Sequence, residues 1–322
     1  MLLVDPTAST VHSVLDEIEG RVARNADMQR PPRRHHYIPE FYQRSWCGED
    51  NQIERYECIN GEVIPRRVFP SAAGFRKNLY RHPRAEMDEW HAQALEWAIF
   101  KRIDDAGAIA LKALLSDREA LRDNIVRRDW AVFLRAMLLR TPYQMAGALG
   151  CLERIWRDTD VSEKYAGMRN SYMPETATEF LEMLNPNEAK ESAFRIFAES
   201  LSGDRTTGHI MKLPWRIFDC TTADHQLLLS DHPVVIVPLE TVDGHIAMPL
   251  SPTRFLVAAT SARTKALADS LRPKSAVRIM NKLVVQRAQH CVIARDRAQD
   301  SFIGKHFGSD PVPPFLSPTA FD

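Results

Sequence analysis

After Ser9 the apolar residues Val11, Val14, Leu15, Ile18 and Val22 recur at helical spacing, which predicts an amphipathic helix to about Ala26. Arg30-Pro31-Pro32-Arg33-Arg34 cannot prolong it, because proline lacks the amide hydrogen and pushes its predecessor towards extended geometry. Pro39 suits the first turn of a short helix to about Trp46, with Phe41 and Ser45 on one side and Tyr42 and Trp46 on another. Ile53–Cys58 and Glu62–Val68 then flank Asn60-Gly61, a pair that accepts the positive φ angles of a two-residue turn, so a hairpin is expected. Pro65 places its return strand at a sheet edge.

The longest helical periodicity runs from about Arg84 to Leu115, and a second from about Arg118 to Arg140. Thr141-Pro142-Tyr143-Gln144 has the grammar of a capping box with proline at the first helical position, and Asn185-Pro186-Asn187-Glu188 repeats it before a helix to about Leu201. Beyond Gly203, whose break to Gly208 reads as a loop, β-prone runs appear at 215–220, 226–229, 234–237 and 255–259. A helix from about Lys274 to Gln289 leads into a strand at Cys291–Ala294, and the proline-rich tail from Asp310 reads as loosely ordered.

The expected fold class is therefore α+β: a predominantly helical bundle with an N-terminal β-hairpin and a small, mainly antiparallel C-terminal sheet. Residues 1–32 form a helix and Pro/Arg linker, 33–296 a single integrated domain, and 297–322 a tail. A helical lobe joined to a sheet lobe is the alternative division.

The 322 residues carry 42 Lys plus Arg against 42 Asp plus Glu, so no global field gathers polyanions and a nucleic-acid coat is disfavoured. Five cysteines, odd in number and never in a C-x-x-C pair, argue against a disulfide framework or zinc ribbon and for reducing cytoplasm. Met1 to Ser9 lacks the start of a signal peptide and no apolar run is long enough to span a bilayer, so no membrane partner is expected.

His35-His36-Tyr37-Ile38-Pro39-Glu40-Phe41-Tyr42-Gln43-Arg44-Ser45-Trp46 resembles the opening H-Y-x-P-x-F-x-L-x-x-F signature of the bacterial domain-of-unknown-function 4238 family. Asn78-Leu79-Tyr80, Arg140-Thr141-Pro142, Leu229-Ser230-Asp231-His232-Pro233, Leu250-Ser251-Pro252, Asn281 and Ala288 agree with it in order. Gln43 stands where a leucine is common and Trp46 where phenylalanine is, departures that concern packing. The resemblance implies architecture and brings no established reaction.

His36, an imidazole just before Pro39, suits a proton shuttle or ligand near neutral pH, and equally a hydrogen-bonded structural histidine. His35 and His36 are adjacent, so in extended chain they face opposite ways and at most one belongs to a site. Asp231 leaves a strand at a turn, where it either staples local amides or orients His36 with Ser230 as its partner. No G-x-S-x-G elbow surrounds Ser230 to make it a nucleophile. Arg140 either clamps a phosphate or carboxylate, or else neutralises a helix end or pairs with Asp231, and Asn281 in an apolar helix is a buried amide in need of partners.

Two functions follow as expectations. One is a hydrolase or nuclease acting on a phosphate-containing substrate, with His36 and Asp231 catalytic and Arg140, Ser230 and Asn281 binding substrate. The other is a non-catalytic binding protein for a small anionic ligand or partner peptide. A divalent metal stays open as cofactor, and no nucleotide-cofactor motif is present. Asp88-x-x-His91 with Glu96 offers possible ligands on one helix, but no matching motif supports a metal there.

Overall fold

A computed structural model describes residues 31–315 except 160, 202–203, 262–265 and 267–269. The amphipathic segment 9–26 lies outside the described residues. Strand β1 (Arg34–His36) runs into helix α1 (Glu40–Gln43), which Pro39 precedes as N-cap and a 3-10 turn (Arg44–Trp46) continues. Next come β2 (Ile53–Ile59) and β3 (Glu62–Val68), joined at Asn60 (φ 53°) and Gly61 (φ 86°) as the turn chemistry requires. A short strand, β4 (Phe75–Lys77), pairs antiparallel with β1.

The helical part consists of α2 (Glu89–Ala92), a π-helical turn (Leu95–Phe100), α3 (Lys101–Ser116), α4 (Asn124–Leu139) and α5 (Pro142–Asp158). It goes on through α6 (Ser162–Ala166), α7 (Ala177–Leu184), α8 (Glu188–Ser200) and α9 (Asp204–Lys212). The C-terminal part adds β5 (Trp215–Asp219), β6 (Leu229–Ser230), β7 (Val235–Val237), β8 (His245–Ser251) and β9 (Arg254–Ala259). Helix α10 (Pro273–Gln286), β10 (Val292–Ala294) and α11 (Asp300–His306) complete it. The result is a largely helical α+β fold with antiparallel sheets.

Several expected boundaries move, each for a local reason. The first long helix starts after Asp88, not at Arg84, because the Asp88 carboxylate accepts from the Trp90 and His91 amides as a cap. It is also interrupted: the Trp97 indole donates to the Trp90 carbonyl at 2.8 Å, and a π-turn follows. Residues 118–122 form a 3-10 turn because Asp123 caps α4. Thr141 caps α5, but the Gln144 side chain donates to the Pro313 carbonyl (3.5 Å) and accepts from the Phe315 amide (2.7 Å) instead of closing the box. At 185–188 the Asn185 side chain accepts the Asn187 amide, so α8 begins at Glu188.

Residues 204–208, expected in a loop, are helical in α9, whose Ile210 joins the core. The 297–322 tail is not uniformly loose: α11 buries Ile303, and Tyr56 donates to Asp300 at 2.5 Å. Residues 316–322 lie outside the described residues.

Strand order is β3-β2-β10-β6 in one four-stranded sheet and β5-β9-β8-β7 in the other. The N-terminal hairpin is therefore not an isolated ornament but half of a sheet completed by C-terminal strands. β8 went unrecognised because Pro249 argues against an inner strand. Pro249 sits beyond the β7 pairing, where β8 and β9 shift register, and its carbonyl accepts the Tyr42 hydroxyl.

α1 lies at the centre of the largest core. The Tyr42 ring meets Trp46, Trp130 and Phe133 edge-on with centroids 5.5, 6.2 and 5.5 Å away. Gly74 seats this segment: its carbonyl accepts the Tyr37 and Ile38 amides, its φ is +61°, and an added Cβ would stand 2.8 Å from Ile38 Cβ. Gly74→Ala is therefore expected to destabilise the protein by about 1–3 kcal/mol. Gly150→Ala, in α5 with nothing within 4 Å of the new methyl, is expected to be neutral or to stabilise by up to about 1 kcal/mol. Urea unfolding of both variants checks the contrast, and equal shifts would refute it.

Candidate functional site

The signature segment carries two histidines with different employment. His35 is fully buried: Nδ1 accepts the Tyr80 amide at 2.8 Å, Nε2 reaches the Pro32 carbonyl at 3.3 Å, and the ring stacks on Tyr80 at 5.3 Å. With both nitrogens engaged the ring is neutral, and burial lowers its pKa to about 4. It is a fastener between β1 and the turn after β4.

His36 and Arg140 do meet. The Arg140 guanidinium, fully buried, donates to the His36 carbonyl (2.6 Å), pairs bidentately with Asp104 (2.6 and 3.1 Å) and stacks over Phe100 at 4.5 Å. Tyr80 donates to the Arg140 carbonyl at 2.6 Å. Burial works against the Arg140 charge, but Asp104, Tyr80 and Glu96 hold the guanidinium charged, its pKa above the ordinary value. The His36 imidazole is mostly buried and tilted against Phe75, with Nε2 3.5 Å from Glu40 and no well-formed hydrogen bond there. Burial lowers its pKa, with Glu40 pulling upward. Glu96, raised to about 8 by burial against the pull of Arg140, leaves Oε2 unpartnered. The cluster thus joins β1, the π-turn, α3 and the C-terminus of α4, and Asp104 and Glu96 were absent from the expected site. Glu96 lies in the π-turn, which ordinary helical periodicity does not reveal, and Asp104 in α3 reads in sequence as one acid among several.

Asp231 does not orient His36. Its oxygens accept the amides of Gln289 (3.1 Å), His290 (2.9 Å) and Cys291 (3.4 Å), the turn that links α10 to β10. Burial raises its carboxyl, opposed by His290 and these three amides. Around it Tyr37 lies against His290, ring centroids 5.8 Å apart. Ser230 donates to the Val284 carbonyl (2.9 Å) and accepts the His232 amide (3.1 Å), which ties β6 to α10.

Asn281 is likewise a staple. It accepts the Leu228 amide (2.9 Å) and donates to the Gln226 carbonyl (2.8 Å) and the Gln299 side chain (3.0 Å). That use of the 226–228 backbone explains why β6 starts only at Leu229. The Trp46 indole takes the Leu227 carbonyl at 2.7 Å, and Gln43 donates to the Ile38 and Ala73 carbonyls at 2.6 and 3.0 Å, work that a leucine at this position could not do.

Hollows lie elsewhere, two of them on the helical side and a third, of about 440 Å³, between the C-terminal end of α3 and β5. A groove of about 780 Å³ is lined by apolar residues that include Trp156, Val161, Tyr165, Phe180, Leu181 and Leu184. A cleft of about 440 Å³ separates α8 from the 82–99 segment. Among the described residues, no group of three or more His, Cys, Asp or Glu side chains is placed to hold a metal ion. No described helix is long and apolar enough to cross a membrane.

The buried imidazoles have a thermodynamic signature. His35 and His232 are both lowered by burial to about 4 from an ordinary 6.5, so between these values the unfolded chain binds protons that the folded chain refuses. Their stabilisation is complete above pH 6.5 and is lost as pH falls towards 4. Glu96 acts oppositely: its contribution, present below about 4.5, is lost as pH rises through about 8. Replacing His35 with Gln should flatten the rise of stability from pH 4.5 to 6.5 by up to about 1.4 kcal/mol per pH unit. Urea midpoints across that range measure this, and an unaltered slope would mean that His35 titrates as an exposed histidine.

Comparison with curated proteins and with solved structures returns no match. The family model described as "Protein of unknown function (DUF4238)" matches residues 34–298, from the first residue of β1 to just past β10. That span holds the signature helix and the Arg140, Asp231 and Asn281 staples, and the chain belongs to this family.

Proposed function

We propose that this protein is a non-catalytic binding protein that receives the apolar face of a partner's amphipathic helix in the groove between α5, α6, α7 and the start of α8. The observation that carries the reading is the groove itself, about 780 Å³ and walled by aromatic and aliphatic side chains. Met168, Met183 and Leu184 are exposed beside it, and Tyr172 projects from the α6–α7 connection. That connection is braced, with the Tyr165 hydroxyl and Arg169 both donating to the Pro174 carbonyl at 2.7 and 2.8 Å. Lys164 and Arg157 lie along the groove with Glu182 and Glu188, so a helix bearing both signs of charge on its polar face is complemented. Five cysteines, none in a disulfide, support placing this activity in the cytoplasm.

The hydrolase or nuclease reading keeps one observation in its favour: His36 Nε2 and Glu96 Oε2 have no hydrogen-bond partner beside the Arg140 charge. Both atoms are closed to solvent, so a substrate would have to open the cluster.

Peptides selected from a library of amphipathic helices on the wild-type protein test the binding reading. Their affinity should fall at least about tenfold in Leu184→Glu and Phe180→Glu, and stay unchanged in His36→Ala and Asp231→Ala variants that remain folded. Equal binding by all variants would overturn it. Turnover of generic phosphoesters or nucleic acids with divalent metals, lost in His36→Ala and Asp231→Ala, would restore the enzyme reading.

A further inference from the structure

We propose that the second cleft, between α8 and residues 82–99, is a separate binding site for a small organic cation with an apolar body, whose ammonium group is received by Glu199. Its volume of about 440 Å³ falls in the range of small-molecule pockets. The apolar part is supplied by Met87, Leu95, Ile99, Phe194 and Ala198. Leu95 and Ile99 come from the π-turn, a local geometry that recurs at functional sites.

The charges decide the ligand. Arg84 is committed to Glu191 through two contacts, 3.1 and 2.6 Å, and Arg195 to Glu188 at 3.3 Å. These pairs neutralise one another. Among the described residues Glu199 has no hydrogen-bond or ion-pair partner; burial raises its carboxyl, opposed only by the charge of Arg195, which is itself paired with Glu188. His82 adds no positive charge to balance it: its Nδ1 accepts the Arg84 amide at 3.2 Å, its ring meets Phe194 edge-on at 4.9 Å, and burial lowers its pKa. With Nδ1 occupied as acceptor, Nε2 carries the proton and can donate to an oxygen on the ligand. His91 is engaged by Asp88. One carboxylate thus lacks a counter-charge beside an apolar floor, which favours a cation over a neutral or anionic molecule of equal shape.

Calorimetric titration of the full chain with 4-phenylbutylamine, 4-phenylbutanol and 4-phenylbutanoate tests the assignment. The amine should bind at least about tenfold more tightly than the alcohol or the acid. Glu199→Gln should remove that preference while leaving alcohol binding in place, and Ile99→Trp, which fills the cleft, should weaken both ligands. Leu184→Glu, in the other groove, should change neither, which separates this site from the proposed helix-binding groove. Circular dichroism verifies that each variant is folded. An amine no tighter than the alcohol, or an amine preference that survives Glu199→Gln, would overturn the proposal.

Discussion

Two hydrogen bonds thrown across the molecule from one short helix hold its parts in register: Tyr42 hydroxyl to the Pro249 carbonyl, and Trp46 indole to the Leu227 carbonyl at 2.7 Å. Each bond contributes only about 1 kcal/mol net, yet leaving either buried carbonyl unmet costs more than that. The rings that carry these donors are fully buried among Trp130 and Phe133, so packing fixes where the donors point. Helix α1 and the 3-10 turn after it therefore reach β8 of one sheet, the chain leading into β6 of the other and the α3–α4 pair at once, and Gly74 supplies the close approach that lets the preceding chain enter.

Most polar residues of the signature serve the same end. His35, Asp231, Ser230 and Asn281 each use their hydrogen-bonding atoms on backbone amides or carbonyls from segments remote in sequence. Such groups are expensive to bury alone and cheap to bury when satisfied, and together they specify one arrangement of loops that apolar packing alone would leave ambiguous. The signature is thus read most simply as the specification of a scaffold. The two surfaces proposed for recognition, the apolar groove and the mixed cleft that flank α8, are lined by other residues than these.

Local signals were legible in the sequence wherever one interaction dominated. Asn60-Gly61 gave the hairpin, Pro65 its edge, and Thr141-Pro142 the start of α5, because turn and cap chemistry acts over three or four residues. What failed was non-local. Pro249 concealed an inner strand whose pairing ends one residue pair short of it on the β7 side. Gln226–Leu228 looked like strand, but Asn281, more than fifty residues later, occupies its backbone. Asp231 was read as a partner for His36 because both are polar and sit at turns, yet the three amides that satisfy it come from a turn whose position depends on how α10 packs. Arg140 was expected to hold a ligand, a helix end or Asp231, but its true counter-ion, Asp104, gave no sign beyond being one acid among many on a helix.

The central claim, that buried polar side chains fasten the fold together, is tested most directly by native-state hydrogen exchange at the amides they hold. Tyr80, Leu228, Gln289 and His290 should exchange only through global unfolding, with protection equal to the stability found from urea titration. Rapid exchange at these four amides in an otherwise protected core would contradict the account and mark the signature as a mobile, solvent-open site.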